Sequence, residues 1–276
     1  MQTLYYLGPK GTFSYLAAQH YAKQQEEPYH FIPKANLYEV VHAVSQHDGA
    51  RALVPIENSI EGTINIVADA LTEQSLVAID EVHLDIKFAL YAHPNTTLAN
   101  ITHVYSIAPA ISQTHHFLQQ HNLSYTYVDS TMQGLTHIDA NSAAIAPMGI
   151  ETDNTLHVLA QNIEDYPHNT TRFLVLSTSP TVDPSPTDML LLITPEVDKP
   201  GLLASVLNTF SLFQINLSWI ASRPLKTQLG KYRFFVQADI KNKTIEMDKV
   251  ITILQTLDFN VKIIGQFHKR ISCIRQ

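Results

Sequence analysis

Cysteine is almost absent: Cys273 is the only one in 276 residues. A lone thiol forms no internal disulfide and supplies neither a CxxC pair nor a Cys/His zinc spacing. Long apolar runs are missing too, and none approaches the roughly 20 residues that a membrane span requires. The opening MQTLYYLGPKG has no basic stretch followed by an apolar one, so no signal peptide is expected and a cytoplasmic protein is. Runs of like charge are also lacking. Eighteen Lys and Arg stand against 25 Asp and Glu, a net charge of −7, which leaves no electrostatic footprint for nucleic acid or an anionic membrane. Neither GxGxxG nor GxxxxGK[ST] occurs, so dinucleotide and nucleotide readings fail. The 14 histidines are scattered, HExxH is absent, and the neighbours His115 and His116 cannot share one helix face. No metal and no cofactor is expected.

What is present is a chain able to build cores, with 45% hydrophobic and 16% charged residues. At roughly 100–200 residues per domain, its length implies about two domains. Thr3–Leu7 reads as a buried strand, followed by the turn Gly8-Pro9-Lys10-Gly11-Thr12 and a helix from Ser14 to about Gln25. Asn36 caps a second helix to about Gln46, Arg51–Ile56 is a strand, and Ile64 to about Leu71 is a helix. A long strand region covers Leu76–Ala92. The same grammar continues with strand His103–Ile107, helix Ala110–Gln120, strand Leu123–Val128, a helix started by Ser130-Thr131, and strand Ala143–Ala146. Leu156–Ala160 and Thr171–Ser177 follow as strands. Such alternation predicts α/β lobes with parallel-rich sheets, and ligands in them bind beyond the carboxyl ends of strands. The lobes are placed at about 1–76 plus 171–178 and at 93–160, in a unit spanning 1–178.

Residues 179–188 hold most of a polar, proline-interrupted stretch and read as a linker. Beyond it, 189–268 reads as βαββαβ: strand Met189–Thr194, helix Gly201–Phe213 and strands Ile215–Ala221 and Tyr232–Asp239, then helix Ile245–Leu257 and strand Phe259–Gly265.

Three segments carry chemistry. Pro55-Ile56-Glu57-Asn58-Ser59-Ile60-Glu61-Gly62-Thr63 gathers polar side chains at a strand's carboxyl end, suiting a small polar ligand or, equally, a capped helix entry. In Asn169-Thr170-Thr171-Arg172-Phe173 an arginine fork matches a carboxylate and a neighbouring hydroxyl can donate a proton; the same pair also fits an edge strand. The turn at Gly8–Thr12 could cradle an anion, and Ser106 with Gln113, and Ser130 with Thr131, also follow strands.

Taken in order, these segments resemble prephenate dehydratase across essentially the whole chain. YLGPKGTFSYLAA resembles the family's N-terminal loop, ALVPIENSIEGTIN its most distinctive segment, and NTTRF followed by LVL its TRF motif. The tail, with PGLL and IASRP, resembles the ACT regulatory domain. The resemblance implies a two-lobed, periplasmic-binding-protein-like catalytic domain plus a ferredoxin-like ACT domain. It implies decarboxylative dehydration of prephenate to phenylpyruvate, feedback by L-phenylalanine, and a homodimer or homotetramer formed through the ACT domain. Thr171 is implied as proton donor to the leaving group, with Arg172, Asn58, Gln113 and Ser106 as catalytic partners. Thr12, Glu57, Ser130, Thr131 and Phe173 are implied at the substrate, and Gly201, Leu202, Asn216, Leu217, Ser222 and Arg223 at the effector. No chorismate mutase helix precedes Gly8, so a monofunctional enzyme is expected.

The chain departs from the family pattern at several points. Tyr105-Ser106-Ile107-Ala108-Pro109 stands for the usual YSHPQ, Phe88 for a histidine, Gln133-Gly134 for alanines, Pro147 for a serine, and Ala221 for the glutamate of ESRP. Two other readings stay open: arogenate dehydratase, the same elimination on an amino-acid substrate, and a non-catalytic sensor of an aromatic metabolite.

Overall fold

The computed structural model describes residues 2–152, 155–180, 185–227 and 230–268; Cys273 and part of the expected linker lie outside them. The first lobe is built from β1 (Gln2–Leu7), α1 (Phe13–Lys23), β2 (Tyr29–Lys34), α2 (Leu37–Ser45), β3 (Arg51–Asn58), β4 (Gly62–Thr63), α3 (Asn65–Glu73) and β5 (Val77–Asp85). The second contains β6 (Phe88–Ala92), β7 (His103–Ser106), α4 (Ala108–Ser112), α5 (His115–Gln120), β8 (Ser124–Tyr127), α6 (Thr131–Leu135), β9 (Ser142–Pro147) and β10 (His157–Gln161). The chain then returns to the first lobe as β11 (Thr170–Ser177). The C-terminal unit runs β12 (Asp188–Pro195), α7 (Leu202–Leu212), β13 (Leu217–Pro224), β14 (Tyr232–Asp239), α8 (Thr244–Thr256) and β15 (Phe259–Phe267).

Local chemistry explains the helix starts. Thr12 Oγ1 accepts from the Tyr15 amide at 3.4 Å, and Asn36 Oδ1 accepts from the Glu39 amide at 2.9 Å while Asn36 Nδ2 donates to the Glu39 carboxylate at 2.8 Å. Two expected elements are divided. The region 76–92 forms two strands in different sheets, because Ile86 turns out of β5 and gives its amide to the Asn169 carbonyl at 2.7 Å. The helix expected over 110–120 breaks at Gln113 and Thr114: the Gln113 carbonyl accepts the Asp165 amide at 2.7 Å, and the Asp165 carboxylate takes the His116 amide at 3.2 Å.

The sheets are mixed. Strands β2, β1 and β3 run parallel, as do β8, β7 and β9. The crossing and returning strands β5, β11, β6 and β10 join them antiparallel. The C-terminal sheet is ordered β13-β14-β12-β15, the ferredoxin-like arrangement of a βαββαβ chain. It continues the first lobe's sheet, since β15 lies parallel to β5 at Gly265 and Ala78.

That seam has a steric cause. A Cβ on Gly265 would lie 2.1 Å from the Ala78 carbonyl oxygen, so only glycine lets the two backbones meet. Gly265→Ala is expected to lower stability by roughly 1–3 kcal/mol through forced overpacking, read as a lower midpoint in denaturant at unchanged slope.

The run Met189-Leu190-Leu191-Leu192-Ile193 is buried on both faces of its strand. One face, with Met189, Leu191 and Ile193, packs with Val206 of α7 and Val250 of α8. The other, with Leu190 and Leu192, joins Trp219, Phe235 and Ile264 in a core shared with Val54, Leu71, Leu174 and Leu176 of the first lobe. The C-terminal sheet is therefore covered by its own helices on one side and by the first lobe on the other.

Candidate active site

Strand β11 carries Thr171, Arg172 and Phe173 of the expected site. Its side chains alternate, so Thr171 and Arg172 leave it on opposite faces. Thr171 pairs in register with Asn58 of β3, and Arg172 with Glu57. The expected site residues are thereby split into two groups.

On Thr171's face the amides form a directed chain. Asn58 Oδ1 accepts the backbone amides of Ile60 at 2.9 Å and Glu61 at 3.0 Å. Those groups only donate, so the Asn58 amide has one orientation and its Nδ2 must face the other way. Asn58 Nδ2 donates to Asn169 Oδ1 at 2.8 Å and Thr171 Oγ1 at 2.9 Å. Asn169, its oxygen committed, donates from Nδ2 to Gln113 Oε1 at 2.6 Å, and Gln113 Nε2 donates to Glu61 Oε1 at 3.0 Å. Ser112 Oγ reaches the same carboxylate oxygen at 3.5 Å. Chemically, the consequence falls at the end of the chain: Thr171 Oγ1 accepts from Asn58, so its own proton points elsewhere. Asn58, Gln113, Asn169 and Thr171 are all buried.

Asn169 and Glu61 were not singled out by the sequence reading, although both sit inside the motifs that carried it. The available signal was composition: an amide and a carboxylate flanking a hydroxyl, in segments that β3 and β11 pair.

On Arg172's face the chemistry is ionic. Arg172 Nη1 lies 3.6 Å from Glu57 Oε2, Arg172 Nε 4.0 Å from Glu81 Oε2, and the guanidinium carbon 4.7 Å from the centre of the Trp219 ring. Glu81 is fully buried and accepts from His83 Nε2 at 2.5 Å and Gln237 Nε2 at 3.0 Å. Burial pushes the Glu81 carboxyl up, but the His83 hydrogen bond, the Arg172 charge and Gln237 together hold it below its ordinary range.

The remaining expected residues have definite places. Ser106, fully buried, donates to the Ile145 carbonyl at 2.7 Å. Thr12 gives its proton to the Leu7 and Pro9 carbonyls, each at 3.0 Å, and Ser130 caps α6 by accepting from the Gln133 amide at 3.1 Å. Thr131 is buried at the start of α6, and Phe173 lies in the core spanning both lobes. Gly11, at φ +93°, meets the Met132 side chain across the lobes, a backbone conformation that side-chain-bearing residues rarely adopt. The change to Gly134 has a steric reason: its Cβ would stand 3.0 Å from the Tyr105 carbonyl oxygen, so α6 packs closely on β7.

In the C-terminal unit, Asn216 and Leu217 line a cavity of about 430 Å³ with Phe210, Gln214 and Ile215. Gly201, at φ +85°, caps α7 with Leu202 beginning it, and neither lines that cavity. Ser222 lies further along β13, opposite Phe234. Arg223 binds Asp69 of α3 bidentately, Nε at 2.8 Å and Nη2 at 3.0 Å, and this pair, with Lys226 and against the effect of burial, holds the Asp69 carboxyl below its ordinary range. No group of three His, Cys, Asp or Glu able to hold a metal occurs among the described residues, and no described helix is long and apolar enough to cross a membrane.

Comparison with known proteins agrees with the motifs. The sequence profile of prephenate dehydratase matches residues 4–181. A prephenate dehydratase of Bacillus subtilis is 31% identical over 281 residues, covering 95% of this chain and 97% of that protein. The crystal structure of the prephenate dehydratase of Staphylococcus aureus superposes with a TM-score of 0.89 at 57% identity, covering 97% of this chain and 100% of that one. That of Arthrobacter aurescens, in complex with L-Phe, superposes at 0.84 with 30% identity, covering 97% and 90%. The chain belongs to the prephenate dehydratase family.

Proposed function

We propose that the protein converts prephenate to phenylpyruvate, with Thr171 as the hydrogen-bond donor to the departing ring hydroxyl. The observation that carries this reading is the direction of the amide chain ending at Thr171. In the reaction the bond between the ring and its carboxylate breaks, and its electron pair enters the ring. The carbon–hydroxyl bond opposite breaks, carbon dioxide leaves, and hydroxide takes a proton to become water. One proton is consumed per turnover. A threonine hydroxyl is too weak an acid to supply it unaided, so the preorganised donors behind it must stabilise the alkoxide-like character that develops. Glu61 anchors the far end of the chain, and its carboxylate keeps Gln113 and Asn169 in the one orientation that serves Asn58.

Membership in the family and the L-Phe complex of the Arthrobacter aurescens protein support phenylalanine as effector. We infer that it binds in the C-terminal βαββαβ unit, acting as an ACT domain that pairs with a second copy; the exposed cavity at Asn216 and Leu217 supports that reading. Purified protein with prephenate is expected to form phenylpyruvate, followed by its absorbance in alkali, with one carbon dioxide released per product. Phenylalanine is expected to suppress that rate. Absence of turnover with prephenate, and turnover with arogenate instead, would reassign the substrate.

A further inference from the structure

Arg172 belongs to the motif that places Thr171, yet its guanidinium does not join the amide chain. It lies on the other face of β11, 92% buried at its side chain, where the C-terminal unit meets the first lobe. Its charged partners stand at 3.6 and 4.0 Å, and Nε and Nη2 find no hydrogen-bond partner among the described residues. The guanidinium carbon lies over the Trp219 ring, 4.7 Å from its centre, and Trp219 belongs to β13 of the C-terminal unit. A buried cation held only loosely by carboxylates depends strongly on such a ring face. A second link runs in parallel: Gln237 of β14 donates from Nε2 to Glu81 at 3.0 Å and to Asp188 at 2.9 Å, and Glu81 faces Arg172.

We propose that Trp219 is a positioning residue for the reaction: by stacking on Arg172 it holds β11 so that Thr171 keeps its register against Asn58. Rigid backbone transmits the effect, because Arg172 and Thr171 are consecutive and β11 is paired on both sides, to β3 and to β5. The C-terminal unit thus reaches the reacting hydroxyl through one ring and one guanidinium, and a shift of β13 moves both. The inference rests on the proposed role of Thr171, and its test has an arm that does not need turnover.

Trp219→Leu removes the ring and leaves an apolar side chain in the shared core; Trp219→Phe keeps a ring face. Steady-state kinetics with prephenate should show kcat of Trp219→Leu down about tenfold with KM within twofold, and Trp219→Phe restored to within about threefold of the parent. Hydrogen exchange measured by mass spectrometry should show faster exchange at residues 170–173 in Trp219→Leu, with the strands of the second lobe, β7 and β9, unchanged. If exchange at 170–173 stays at the parent rate, the positioning role is overturned whatever the activity. A kcat unchanged with KM raised would also overturn it, since Arg172 would then act on substrate binding. Should Trp219→Leu fail to fold, Arg172→Lys, which removes the guanidinium, takes its place in the same exchange measurement, and parent-like rates at 170–173 would sink the idea. A parent protein without turnover would remove the reading of Thr171 alone, because the exchange arm still reports whether Trp219 holds β11.

Discussion

Thr171→Ala lowers kcat for prephenate by about 10²–10⁴-fold, the range general acid catalysis contributes, while KM changes little. Phenylpyruvate formation under saturating prephenate is the measurement. The expectation follows from the end of the amide chain: removing Oγ1 deletes the acceptor for Asn58 Nδ2 and the donor directed away from it, yet leaves the other links intact. Thr171→Ser, which keeps the hydroxyl, should retain most of the rate. Stability should fall by about 1–3 kcal/mol in the alanine variant, the cost of leaving the buried Asn58 donor without this acceptor, and a denaturant midpoint measured beside kcat separates lost activity from lost fold. Full turnover by Thr171→Ala would remove this hydroxyl from the mechanism.

Glu81→Leu should cost about 3–5 kcal/mol of folding stability, because it leaves Arg172 charged and buried without its inner carboxylate. Glu81→Gln separates charge from shape and adds a pH signature. The Glu81 carboxyl sits below its ordinary value of 4.5 in the fold, so the unfolded chain binds its proton more readily. The stabilisation from this group is therefore fully present above about pH 5 and is lost as the pH falls through the lower, folded value. In Glu81→Gln that share of the pH dependence disappears, and stability between pH 5 and 3 should decline less steeply than in the parent. Urea titrations across that range are the check, and equal slopes in both proteins would contradict the assignment of the shift to Glu81.

The Glu81 cluster has a further consequence for how the chain is organised. Pairing Arg172 with Glu57, Glu81 and Trp219 places the ionic part of the site at the junction of the two units, while the neutral amides lie toward the second lobe. A departure such as Ala221 for the usual glutamate falls into the same junction: Ala221 packs against the shared core, and Arg223 two residues on is already occupied by Asp69.

Much of this was legible in the chain itself. The helical pattern after the Gly8–Thr12 turn located the first helix and the Asn36 cap the second, because N-caps are local chemistry and apolar spacing reports a face directly. The ordered motifs around Asn58 and Thr171 carried the resemblance to the family, since both are short segments legible without tertiary contacts. Tertiary structure alone decided the rest. Antiparallel return of β11 between β3 and β5 brought Thr171 to Asn58, and no local signal distinguishes that strand from a parallel one. The break at Gln113 came from Asp165, about 50 residues away in sequence, taking backbone groups that a continuous helix would have used. Asn169 and Glu61 joined the hydrogen-bonded chain of Asn58 and Gln113 only when the fold brought these segments together. Arg172 turned toward Trp219 because alternation sends neighbours on a strand to opposite faces, and which face meets the cleft is settled by what packs on the other.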